Sequence, residues 1–128
     1  MDSRASFRRI AIALLLLLAP PLILGAEATV LRVVVVATDG VDAYVKEIER
    51  GKAMLKRLES PATIRVFRAR FAGSEAGTVV VSVEFPSLTA LAASDAKAAA
   101  DTEYQTWLKG LDKIRKVVSD SLYDELKP

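Results

Sequence analysis

The chain has 128 residues, a formal net charge of +2, and neither histidine nor cysteine. Those two absences exclude imidazole catalysis, histidine haem ligation, cysteine nucleophiles, disulfides and zinc sites of the usual kind. From Thr29 onward fifteen Lys and Arg face fourteen Asp and Glu, so the sequence points to no nucleic-acid surface.

The first residues read as an export signal. Arg4, Arg8 and Arg9 precede the apolar run Ile10 to Leu18, and Ala26-Glu27-Ala28 fits the small-residue cleavage rule. The expectation is a signal peptide over 1–28, cleaved after Ala28 or, second, after Ala26. The alternative is an uncleaved anchor, because Ile10 to Gly25 is nearly long enough to cross a bilayer if the Pro20-Pro21 pair is tolerated. A lipoprotein is excluded for want of a cysteine. The expected location is periplasmic or secreted, with no stable membrane anchor after cleavage, and residues 29–128 form a single domain. Without disulfides, packing or oligomerisation must stabilise it.

Thr29 to Thr38 is rich in β-branched residues, and its Val33 to Val36 run suits a central strand. Asp39-Gly40 ends it. From Val41 to Leu58 the residues Val41, Tyr44, Val45, Ile48, Leu55 and Leu58 fall at helical spacing. Asp39 is the expected N-cap, and Ser60-Pro61 the stop. Gly51 interrupts the apolar stripe, either to let the helix approach the sheet or as a simple tolerated glycine, which is the favoured reading.

A hairpin follows. A loop closing symmetrically over Gly73 to Gly77 sets Arg70 opposite Val80, Arg68 opposite Ser82 and Val66 opposite Glu84. Phe67, Ala69, Phe71, Val79, Val81, Val83 and Phe85 then share the face that a helix covers. The other face carries Arg68, Arg70, Ser82 and Glu84. Ser87 caps an alanine-rich helix to Ala100, and Asp101 caps a second piece in which Tyr104, Trp107, Leu108, Leu111 and Ile114 share one side. Trp107 reads as core. Lys116 to Leu126 continues the helix or closes the sheet as a fourth strand, and the strand is favoured because it leaves less sheet uncovered.

This order of elements gives an α+β, ferredoxin-like split βαβ arrangement: a four-stranded antiparallel sheet with helices on one face. It resembles the dimeric α+β barrel superfamily, with its antibiotic-biosynthesis monooxygenase-like, NIPSNAP-like and EthD-like domains. The hairpin, the junction Glu84-Phe85-Pro86-Ser87-Leu88, the segment Asp101 to Trp107 and the closing Ser119 to Tyr123 carry the resemblance. It implies a homodimer whose uncovered sheet faces pair as a barrel. On that model Arg32, Arg68, Arg70, Ser82 and Glu84 line the interior and bind a small, anionic molecule. The competing reading is an exposed Arg68–Glu84 cross-strand pair at a wet barrel mouth, with Arg70 in solvent. No metal or cofactor is expected. A non-catalytic role is preferred, and the alternative is a cofactor-independent, monooxygenase-like or cyclase-like enzyme with Glu84 as base and Tyr44 or Tyr123 as proton donor.

Overall fold

A computed structural model of the chain describes residues 27–128. The signal peptide expected over 1–28 lies almost wholly outside them. Among the described residues no helix is long and apolar enough to cross a membrane. The elements run β1 (Val30–Ala37), α1 (Val41–Arg57), β2 (Thr63–Arg68), a short 3-10 turn (Gly73–Glu75), β3 (Val79–Phe85), α2 (Leu88–Ala100), α3 (Thr102–Leu111) and β4 (Lys116–Asp124). The four strands form one sheet in the order β2-β3-β1-β4, with every neighbouring pair antiparallel. This is the α+β, ferredoxin-like architecture, and the final segment is a strand. Glu125 N–H extends its pairing by donating to the Thr29 carbonyl at 2.9 Å.

Strand β1 holds the centre because its valines satisfy both faces. Val34 and Val36 lie over Val81 and Val79 on the side that meets the helices. Tyr44 and Ile48 of α1 and Leu111 of α3 pack there into one core, with Val36 and Tyr44 fully buried. The opposite side carries Leu31, Val33 and Val35, flanked by Glu84, Ser82 and Val80 on β3 and by Tyr123, Ser121 and Ser119 on β4. No described helix covers that side. A β-bulge between Val35 and Val36 leaves Val118 as the extra residue on β4.

The helix ends show which local signals act. Ser87 Oγ accepts from Ala90 N–H at 3.0 Å and Asp101 Oδ2 from Tyr104 N–H at 2.9 Å, so both expected caps are present. Asp39 is not a cap. The N-cap of α1 is Gly40, with no side-chain cap, and the preceding turn is held by Thr38 Oγ1, which accepts from Gly40 N–H and donates to the Ile114 carbonyl at 2.7 Å. At its other end α1 stops earlier than Ser60-Pro61. Glu59 adopts a left-handed conformation (φ 57°), and Ser60 N–H reaches back to the Leu55 carbonyl while Glu59 N–H reaches Lys56, a Schellman closure with glutamate in the usual glycine position.

Two further expectations are corrected. Gly51 is not a merely tolerated glycine: a Cβ built there would run into the benzo ring of Trp107, so the missing side chain is what seats α3 against α1. The hairpin register also differs. Arg68 lies opposite Val79, Val66 opposite Val81 and Arg65 opposite Ser82, three residues from the symmetric register. Strand β2 ends at Arg68, and the connection is longer because Gly73 and Gly77 both have positive φ, and a 3-10 turn fits between them. Ala69 and Gly77–Thr78 close this wide loop by backbone hydrogen bonds. An odd shift exchanges the faces of β2. Ile64 and Val66 pack on the core, while Phe67, expected beneath a helix, lies on the uncovered side and is 51% exposed.

Candidate functional site

Between the helix-covered side of the sheet and the three helices lies a cavity of about 320 Å³. Its existence follows from side-chain size. Helix α2 is built largely of alanine and serine and buries only Ser94 and Ala98, so it cannot fill the space above β1 and β3. Val34 is only partly buried in consequence. Strand order divides the cavity into two ends. Ile64 of β2, with Val81, Val83 and Phe85 of β3, makes an apolar end, to which α1 adds Ile48 and Leu55. Arg32 of β1, Arg115 before β4 and Asp120 on β4 make a polar end, with Tyr104, Gln105 and Trp107 of α3 above.

At the polar end Arg32 donates from Nε to Asp120 Oδ1 at 2.9 Å and from Nη2 to Oδ2 at 2.7 Å. This bidentate pair is half exposed (44% and 41%) and forms part of the rim. The hydrogen bonds raise the Arg32 pKa and hold the Asp120 carboxyl below its usual range. Deeper in, Arg115 Nη1 donates to the Tyr44 hydroxyl at 3.1 Å, with its guanidinium carbon 6.0 Å from the centre of the Tyr44 ring. Arg115 is only 12% exposed, and Asp112 is 3.8 Å away on the solvent side. Its buried Nε has no hydrogen-bond partner.

The wall above is held by polar ties. Trp107 Nε1 donates to Glu47 Oε2 at 3.1 Å, and its ring lies 5.2 Å from that of Tyr104, tilted by 51°. Gln105 Nε2 donates to the Ala98 carbonyl across the helix break. Ser60 and Ser94 share a 2.7 Å hydroxyl contact, and Arg57 grips Asp101 and Glu103, so α2 and α3 are fastened to the end of α1. Burial is the main cause that pushes the Tyr104 phenol above its ordinary value, with Asp95 adding to the rise and Arg32 and Arg115 opposing it. Among the described residues no group of His, Cys, Asp and Glu could hold a metal ion.

The residues singled out from the sequence do not come together. Arg32 lines the cavity beneath the helices. Ser82 and Glu84 lie on the opposite, uncovered side. Arg68 is exposed at the end of β2, opposite Val79, and Arg70 is exposed in the hairpin loop. The shifted register puts Arg65, not Arg68, beside Ser82. Asp120, Arg115 and Asp95 were not singled out as site residues, Tyr104 was named only in the apolar stripe of its helix, and Trp107 was read only as core. The signal for Arg115 was available: it is a cation between Ile114 and the Val117-Val118 pair, at the start of a strand that returns to the core.

No protein-family model matches the chain, and no curated protein matches it significantly in sequence. Solved structures do. A NIPSNAP family protein from Agrobacterium tumefaciens str. C58 superposes with a TM-score of 0.60 at 15% identity, over 81% of this chain and 90% of that one. SnoaB, a cofactor-independent oxygenase from Streptomyces nogalater, gives 0.59 at 14% identity, over 80% and 97%. A conserved protein of unknown function from Bacteroides thetaiotaomicron VPI-5482, a possible oxidoreductase, gives 0.57 at 9% identity, over 78% and 100%. Chain order, strand order and these superpositions agree: this protein has a ferredoxin-like α+β fold, shared with a NIPSNAP family protein and with SnoaB.

Proposed function

We propose that the protein is an exported homodimer that binds a small molecule in the cavity between sheet and helices, without turning it over. The observation that carries the binding reading is the cavity itself: about 320 Å³ with an apolar end, a polar end and a fixed aromatic wall. Sites for small molecules are concave, mostly apolar and furnished with a few placed polar groups. Dimerisation is supported by the uncovered side of the sheet, where Leu31, Val33, Val80, Phe67 and Tyr123 form an apolar surface that the described helices leave open. On this proposal Ser82, Glu84 and Arg65 face the partner, and the ligand site is separate from them. Of the residues proposed from the sequence, Arg32 and Tyr44 contribute to it. Export rests on the N-terminal sequence alone.

A second reading is a cofactor-independent oxygenase. SnoaB, which is one, has this fold, and Tyr104 offers a protonated phenol to the cavity because burial disfavours its anion. Native mass spectrometry of the protein expressed from the full sequence, beside a denatured spectrum, tests the first reading. The expected result is a dimer with a discrete additional mass and an N-terminus at Thr29. A bare monomer beginning at Met1 would refute the dimer and the cleaved signal together. Oxygen consumption on addition of the recovered ligand would move the assignment to the oxygenase.

A further inference from the structure

Arg115 poses a problem of charge. It is 12% exposed, its Nε is buried without a partner, and its nearest carboxylate, Asp112, is 3.8 Å away and 73% exposed. The phenol of Tyr44 takes one of its five N–H groups, and among the described residues no other hydrogen bond forms. With only a loose, solvent-exposed carboxylate at 3.8 Å, a guanidinium so withdrawn from water is incompletely paired and favours a second, closer anion. The side chain lines the cavity and stands at its polar end.

The cavity limits which anion can answer. Asp95 and Asp120 also line it, and although Arg32 neutralises Asp120, Asp95 has no such partner among the described residues. A doubly charged phosphate would meet that negative field, whereas a single carboxylate would not accumulate enough charge for the repulsion to dominate. Carboxylate geometry also matches the guanidinium edge. From Arg115 and Tyr44 the cavity continues past Val34 and Val81 to Leu55, Ile64 and Val83, all apolar. Its volume equals that of about ten liquid waters, at ~30 Å³ each.

Resting on the reading of this cavity as a small-molecule site, we infer that its occupant is a small monocarboxylate whose carboxylate pairs with Arg115 and whose apolar body lies towards Leu55, Ile64 and Val83. Arg115 orients the ligand, and the Arg32–Asp120 pair stands at the rim without being needed for the charge. The chain's single tryptophan, Trp107, lines the same cavity and reports its occupancy.

The test titrates octanoate and, separately, octanol against the full-length-expressed protein at pH 7, following Trp107 fluorescence. Octanoate should bind about tenfold or more tightly than octanol, as expected when a buried cation gains a charged partner. In Arg115→Met, which keeps an unbranched apolar side chain, the ratio should fall to about one. Arg115→Lys should retain part of it, and if the methionine variant does not fold, the wild-type and lysine ratios still decide. Equal binding of the two probes by the wild type would overturn the carboxylate assignment while leaving the cavity reading intact. Preference surviving in Arg115→Met would overturn the role of Arg115. No response to either probe at millimolar concentration would refute the cavity reading, and this inference with it.

Discussion

Gly51→Ala would test the packing on which the cavity depends. In an exposed helix this change stabilises by about 1 kcal/mol, because alanine loses less backbone entropy. Here the three heavy atoms nearest the new Cβ all belong to the Trp107 ring. The ring cannot swing away freely, since Nε1 is bonded to Glu47 and its face lies against Tyr104. Overpacking of this kind costs about 1–3 kcal/mol. Offset by the helix gain, the net change is a loss of up to about 2 kcal/mol, and each kcal/mol shifts the Tm of a domain this size by about 4–8 °C. The same substitution in a Trp107→Leu background should recover the stabilisation of about 1 kcal/mol, so its sign reverses between backgrounds. Urea denaturation followed by far-ultraviolet circular dichroism reads all four proteins without relying on the tryptophan. If Gly51→Ala stabilises both backgrounds equally, the close approach of α1 and α3 is not what Gly51 provides.

Three other changes probe separate features. Glu59→Gly relieves a left-handed backbone at the end of α1 and should raise stability by about 0.5–1 kcal/mol; a lower denaturation midpoint would contradict the Schellman closure. Ser87→Ala removes the cap on Ala90 N–H and should cost about 1 kcal/mol in the same assay, with no loss if water replaces the hydroxyl fully. Asp120→Asn tests the rim pair. Because Arg32 depresses the Asp120 carboxyl, the pair stabilises the fold above the ordinary carboxylate value of about 4 and loses that contribution as pH falls through the depressed value. The variant should therefore be less stable than wild type at pH 7, by under ~1 kcal/mol for so exposed a pair, and indistinguishable from it in strong acid. A gap that persists in acid would mean that the loss is not one of charge.

The elements of the fold were legible because their signals are local. Valine density marks β1, i to i+4 spacing marks α1, and Ser87 and Asp101 mark the starts of α2 and α3 through bonds to N–H groups three residues on. Even β4, whose sequence also suits a helix, follows from the need to close a sheet. The interaction of Gly51 with Trp107 was not legible, since the two residues are far apart in sequence and nothing local says which neighbour a glycine admits. Asp39 failed as a cap for a different reason. Thr38 beside it is tied to the Ile114 carbonyl in the turn before β4, a tertiary bond that fixes the turn before the helix begins.

The candidate site was lost through parity. A hairpin register carries one binary decision, because side chains alternate, and an odd error turns one whole strand over. Composition suggested that Phe67 and Phe71 pointed inward and Arg68 and Arg70 outward. The two left-handed glycines instead make a long loop, which puts Ile64 and Val66 in the core and leaves Phe71 wholly exposed. The same shift turns Arg68 away from Ser82 and Glu84, at the end of β2 and outside the cavity, and puts Arg65 beside Ser82 in its place. The arginines that line the cavity instead lie towards the other edge of the sheet. Arg32 and Asp120 meet only because β1 pairs with β4 across 88 positions, and Arg115 enters the cavity only because β4 begins beside Tyr44. Charge in the interior is thus set by the strand pairing that is most distant in sequence, while the pairing nearest in sequence, β2 with β3, supplies the apolar end. A ligand that spans both must be charged at one end and apolar at the other, whatever its chemistry between.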